Sequence, residues 1–352
     1  MPPDPHRARS PSRCTLDRSS YTSLAGGAAS GTIAVMATPA PRPEQAVRSA
    51  SLAFRDILSD DGTHVRAWTN DPDGVIDGPT VVLCNGLGTN PYLWPWLLDP
   101  ACGVRIVSWN HRGVGGSERP RDRKHVEIEH FVQDGLSVMD HFGIDHAVLM
   151  GWSMGVNTAF ELAYRHPERV RGIFAMCGVP GDTFATMLAP FHLPRFAARA
   201  ITVNACRVAQ FSGFVANPVV RRIPMGPRTV RLLGRTGFMF PVADPEAAAL
   251  GLQEFLTTPV DWYARLAIGT SRHARVRLSR IDVPTMFVSA TYDVLAGARD
   301  MASASRRLAD RGIDTEYVEL RGSHFVQLEQ PERVHQLLLD FLAGVEGSEG
   351  RA

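Results

Sequence analysis

Ser153 stands in the stretch Gly-Trp-Ser-Met-Gly, where the apolar run from Ala147 meets a helical pattern that starts at Met154. A serine hydroxyl is a weak nucleophile until a base takes its proton and a third group orients the base. The chain offers a candidate for each role. His324, in Gly-Ser-His-Phe, lies between the last strand-like run and the last helical pattern. An imidazole placed there can accept the serine proton and return it to a leaving group. Asp293, in Ala-Thr-Tyr-Asp, ends the preceding strand-like run. The chain order is Ser153, Asp293, His324, the order required when the nucleophile sits on a strand-to-helix turn of this kind. Asp182, in Gly-Val-Pro-Gly-Asp, follows the strand after the serine helix and is the rival acid; otherwise it reads as a loop cap.

The serine needs a sharp turn to lift it out of a sheet. Gly151 and Gly155 fit that need, since strand and helix backbones nearly touch on either side of such a turn. The backbone N–H of Met154, at the helix N-terminus, then points at the place where an oxyanion would form.

The elements that must hold these groups alternate in type. Thr80–Gly86, Val104–Asn110, His146–Ser153, Val170–Gly178, Pro284–Asp293 and Thr315–His324 are or begin with short apolar or β-branched runs. Helical patterns cover Pro91–Leu98, Ile128–Phe142, Met154–His166, Ala298–Arg311 and Pro331–Leu342. Two further strands joined by Asp-Asp-Gly (residues 60–62) precede them. Strands apolar on both faces, alternating with helices, predict an α/β fold with a mostly parallel sheet covered on both sides. The alternation breaks from residue 181 to 276, which reads as a helical cap inserted over the sheet. Residues 49–180 and 277–346 read as the core, and 1–48, rich in Pro, Arg, Ser and Ala, as a disordered tail.

Net charge is +1, so nothing global calls for nucleic acid. The five cysteines, Cys14, Cys84, Cys102, Cys177 and Cys206, are irregularly spaced and suggest neither a disulfide framework nor a zinc site. No cofactor or metal is expected. No apolar run is long enough to span a membrane. The expected location is the cytoplasm. Export stays open, since Ser23–Ala40 has a weak likeness to a signal-peptide core, and Met36 is an alternative start. Thr183–Ala243 holds eight arginines and no Asp or Glu, which reads as a solvated cap face, with peripheral membrane contact as the sharper alternative. Oligomeric state is left open.

From about Leu52 to Val345 the chain resembles the α/β-hydrolase superfamily, in its capped serine esterase, lactonase and perhydrolase-like branch. The likeness is carried by Gly-Trp-Ser-Met-Gly, by His111–Pro120 (His-Arg-Gly-Val-Gly-Gly-Ser-Glu-Arg-Pro) and by Gly322–Val334 around His324. It implies an eight-stranded sheet with a helical lid. It also implies a second oxyanion donor, the Leu87 N–H, from the loop after Thr80–Cys84; Asn85 stands where relatives usually carry His. The expected reaction is hydrolysis of an apolar carboxylic ester or lactone through an acyl-enzyme. Carbon–carbon bond hydrolysis, perhydrolysis, amide cleavage and acyl transfer use the same triad, and a non-catalytic ligand-binding protein is the reading from another class. Epoxide hydrolysis is disfavoured, because it needs a carboxylate nucleophile where this chain has Ser153.

Overall fold

In the computed structural model, residues 52–188 and 191–349 are described. The expected tail (1–48), the signal-like stretch, the alternative start at Met36 and Cys14 lie outside them. β1 (Ala53–Leu58) and β2 (His64–Thr69) form an antiparallel hairpin. β3 (Thr80–Cys84), β4 (Arg105–Trp109), β5 (Ala147–Trp152), β6 (Val170–Met176), β7 (Thr285–Ala290) and β8 (Thr315–Leu320) complete one eight-stranded sheet. Its order is β1-β2-β4-β3-β5-β6-β7-β8. Every pairing from β4 to β8 is parallel, and β2 joins β4 antiparallel. The expected eight-stranded, mostly parallel sheet is therefore present.

β5 and β7 are buried at every position, as strands covered on both faces must be. Their side chains alternate between two apolar layers. Leu149 and Phe287 pack with Phe131 of α1 (Ile128–His141), Phe160 of α2 (Met154–Arg165) and Leu308 of α7 (Ala298–Ala309). Met150 and Val288 pack on the other side with Trp94 and with Leu338 and Phe341 of α9 (Pro331–Glu349). Between β6 and β7 the chain contributes α3 (Arg195–Val220), α4 (Pro227–Leu233), α5 (Pro245–Phe255) and α6 (Val260–Thr270), and no strand among the described residues. The short α8 (Val326–Glu329) precedes α9.

One expected helix takes another form. Pro91–Leu98 is two 3₁₀ turns, Pro91–Leu93 and Pro95–Leu98. Pro95 has no N–H to give and its ring collides with the preceding turn, so the apolar spacing cannot be realised as one helix.

Candidate active site

The parallel strands bring the loops after β3, β5, β7 and β8 to one edge of the sheet, the carboxyl edge where ligands of such sheets bind. Ser153 follows β5 with φ 56° and ψ −122°, a conformation that costs a non-glycine residue energy. Its N–H donates to the Met176 carbonyl at 2.9 Å, which ties the turn to β6. The two flanking glycines are required by contact. A Cβ on Gly155 would sit 1.8 Å from the Cys84 carbonyl oxygen, and one on Gly151 would sit 2.8 Å from the Val156 Cα. Gly178 has the same duty from the side: its Cβ would meet the Ser153 carbonyl oxygen at 2.3 Å.

The three residues singled out for nucleophilic chemistry form one chain of hydrogen bonds. His324 Nε2 lies 2.8 Å from Ser153 Oγ, and His324 Nδ1 lies 2.8 Å from Asp293 Oδ2. A carboxylate offers only acceptors, so Nδ1 carries the proton and Nε2 is left to accept from the serine hydroxyl. Asp293 Oδ1 accepts the Leu295 and Ala296 N–H groups at 2.8 and 2.9 Å, which fixes the carboxyl plane. Asp293 and His324 are buried, and Ser153 is half-buried. Asp182, the alternative acid, is turned elsewhere. It pairs with Arg195 at 2.8 Å and Arg199 at 3.5 Å, and makes no hydrogen bond to His324.

The His324 loop is held from both sides. Trp152 donates its indole N–H to the His324 carbonyl at 3.2 Å. Glu329 accepts from the Ser323 N–H at 2.8 Å and from the Phe240 N–H at 2.8 Å, linking this loop to the segment between β6 and β7. Neither support carries a motif, and Glu329 was legible only as the acid six residues after Ser323.

The two amides expected to face an oxyanion belong to Met154, at the first position of α2, and to Leu87, in the loop after β3. Both side chains are buried. Asn85 braces that loop: its Oδ1 accepts from the Gly86 N–H at 2.9 Å and the Trp94 indole at 3.0 Å. Trp94 is thus a structural partner of the loop. Cys177 lies beside the acid. Burial, and then the Asp293 charge, push its thiol well above the ordinary range, so it stays a neutral neighbour. Among the described residues no group of three or more His, Cys, Asp or Glu side chains is arranged to hold a metal ion.

A second buried cluster, unread in the sequence, anchors the loop after β4. The Arg112 guanidinium is wholly buried and pairs with Asp134 through Nη2 at 2.7 Å and with Asp61 at 2.5 Å. Ser59 Oγ and the His125 carbonyl take further donors, and the Arg112 carbonyl accepts the Trp262 indole N–H at 2.8 Å. Asp61 lies 51 residues from Arg112 in the chain, too far for any local pattern to reveal the pair.

Comparison with known proteins agrees with this architecture. The family model described as alpha/beta hydrolase fold matches residues 79–212. The chain is 24% identical to epoxide hydrolase B of Mycobacterium tuberculosis, over 82% of this chain and 98% of that protein. It is 27% identical to the putative carbamate hydrolase RutD of Caulobacter vibrioides, over 77% of this chain and 93% of that one. Among solved structures, the enol-lactonase of Burkholderia xenovorans LB400 superposes with a TM-score of 0.59 at 23% identity, covering 83% of this chain and all of that one (100%). With the sheet order and the family match over residues 79–212 in agreement, the chain has the α/β-hydrolase fold.

Proposed function

We propose that the protein is a serine hydrolase that cleaves a carboxylic ester or lactone. The observation that carries this reading is the relay from Ser153 Oγ through His324 to Asp293, with 2.8 Å at both links, set on a strained turn. In the proposed reaction Ser153 Oγ attacks the carbonyl carbon while His324 Nε2 takes its proton. The carbonyl oxygen becomes an oxyanion held by the Met154 and Leu87 N–H groups. Collapse expels the alcohol, which takes the proton from His324. Water, deprotonated by His324, then attacks the acyl-enzyme; the acid departs and Ser153 regains its proton. Asp293 holds the tautomer and stabilises the imidazolium.

An apolar substrate suits the surroundings. The Phe325 ring lies 5.8 Å from the His324 ring, and Phe238, from the segment after α4, lies 5.5 Å from Phe325. Tyr263 of α6 packs against Gly88 beside the oxyanion loop. These contacts support reading residues 181–276 as a cap that closes over the site, between core segments 49–180 and 277–346. One similar structure is named an enol-lactonase, which agrees with a lactone. Similar proteins named epoxide hydrolases do not redirect the proposal, because the nucleophile position here is a serine and not a carboxylate.

The test is steady-state hydrolysis of a panel of p-nitrophenyl esters and simple lactones. Turnover is expected, with a loss of at least about 10⁴-fold in Ser153→Ala. Turnover that survives in Ser153→Ala would overturn the proposal, and so would no turnover of any panel member by folded protein.

A further inference from the structure

A helix on the surface of a folded domain normally turns its apolar stripe to the core. α3 packs Ala198, Val203 and Cys206 inward and carries a second apolar face outward. Of its 26 residues only Ala198 and Gly213 are buried, and Gly213 is where α3 presses on Asp261 of α6. Phe196, Ile201, Val208, Phe211, Val215 and Val219 are all exposed. Their spacing keeps them within an arc of roughly 140° at 100° per residue. Phe214, at the margin of that arc, is 83% exposed, and Phe211 is 79% exposed. A shallow groove of about 330 Å³ runs along the same helix, lined by Phe196, Arg199, Ala200, Val203, Asn204 and Arg207.

The segment that carries this surface is basic. The stretch Thr183–Ala243 has eight arginines and no acidic residue. Arg195 and Arg199 are engaged by Asp182, and Arg195 also by Asp300. Arg207, Arg221 and Arg222 are exposed and make no ion pair among the described residues; Arg207 bonds only Asn204, and Arg222 the Pro218 carbonyl. No described helix is long and apolar enough to cross a membrane. Arg207 sits within the same arc, and Arg221 and Arg222 follow the last turn; an exposed apolar face whose unpaired arginines can reach up to headgroups suits a helix that lies in a lipid–water interface. A second copy of this chain suits the face less well, because it would bring the same unpaired cations together.

We propose that α3 docks flat on an anionic phospholipid surface. Phe211, Phe214 and their aliphatic neighbours enter the acyl boundary, and Arg207, Arg221 and Arg222 meet the lipid phosphates. This proposal stands apart from the catalytic reading, since it uses none of the residues around Ser153.

The experiment is co-sedimentation of the full chain with vesicles of phosphatidylglycerol and phosphatidylcholine, and with phosphatidylcholine alone. The wild type is expected to partition about a hundredfold better onto the anionic vesicles. Each arginine near such a surface contributes about fivefold, so R207Q/R221Q/R222Q should lose about a hundredfold. F211S/F214S should lose binding to the same vesicles, and both variants should keep the wild-type melting temperature. Failure of the wild type to bind anionic vesicles, or full binding by F211S/F214S, would overturn the proposal. So would light scattering that finds a dimer dissolved by F211S/F214S, which would make a second copy the occupant.

Discussion

Gly155→Ala tests how closely strand and helix approach behind the serine. The added Cβ would lie 1.8 Å from the Cys84 carbonyl oxygen, 2.5 Å from its carbon and 2.7 Å from the Asn85 oxygen, where real Cβ atoms essentially never come under 3.0 Å. All three are backbone atoms, so no side-chain rotation relieves the clash. β3 and α2 must therefore part by roughly 1 Å, the scale of displacement that costs a catalytic site about 10²-fold. The shift falls where it does most harm, since the Cys84–Asn85 segment leads into Leu87 and Gly155 follows Met154. Overpacking of this kind also costs about 1–3 kcal/mol of stability. In a chain of this size that lowers the melting temperature by roughly 2–4 °C per kcal/mol. The assay is thermal melting and ester hydrolysis of Gly155→Ala beside Gly344→Ala, a site in α9 where an added methyl group has nothing within 4 Å. Wild-type melting and wild-type rate in Gly155→Ala would refute the reasoning. A loss in Gly344→Ala equal to that in Gly155→Ala would refute it too.

Other expectations follow from single contacts. Asp293→Asn should fold normally yet lower kcat by about 10⁴-fold, because the amide no longer enforces the Nδ1–H tautomer; Asp182→Asn, which removes only a partner of Arg195 and Arg199, should keep kcat within about threefold. Ser153→Gly should abolish turnover and raise stability by about 1 kcal/mol in urea unfolding, since glycine accepts φ 56° without strain. Arg112→Met should lose about 3–5 kcal/mol, because it leaves Asp134 buried without its cation. His111 is buried, and burial lowers its pKa to about 4. The unfolded chain then binds the extra proton first, so this stability is present above about pH 6.5 and is lost as pH falls towards 4, to the extent of about 3 kcal/mol. The pH slope of the urea midpoint between those values should flatten in His111→Leu.

The sheet was legible because its central strands are apolar on both faces and alternate with helical patterns. Ser153, Asp293 and His324 could be named without contacts, since a parallel sheet sends the end of every strand to one edge. Residues paired across the chain were not legible in the same way. Arg112 appeared as part of a motif, but its partners Asp61 and Asp134 belong to a hairpin turn and a helix, and no periodicity links them. Pro91–Leu98 misled because its apolar spacing is helical while its prolines forbid a single helix. The outward apolar face of α3 was not legible either, because a helical period does not say whether an apolar face turns to the core or to water. The glycines at 151 and 155 could be read from the elbow pattern. Gly178 could not, because its duty is to clear the Ser153 carbonyl from a neighbouring strand.

The central claim is that Ser153 is a nucleophile activated by His324. It is tested most directly by labelling the folded protein with a fluorophosphonate and locating the adduct by peptide mass mapping. The account predicts one adduct, on Ser153, that disappears in Ser153→Ala and falls to background in His324→Ala. A folded wild type that takes no label, or that carries the adduct on another residue, would contradict it.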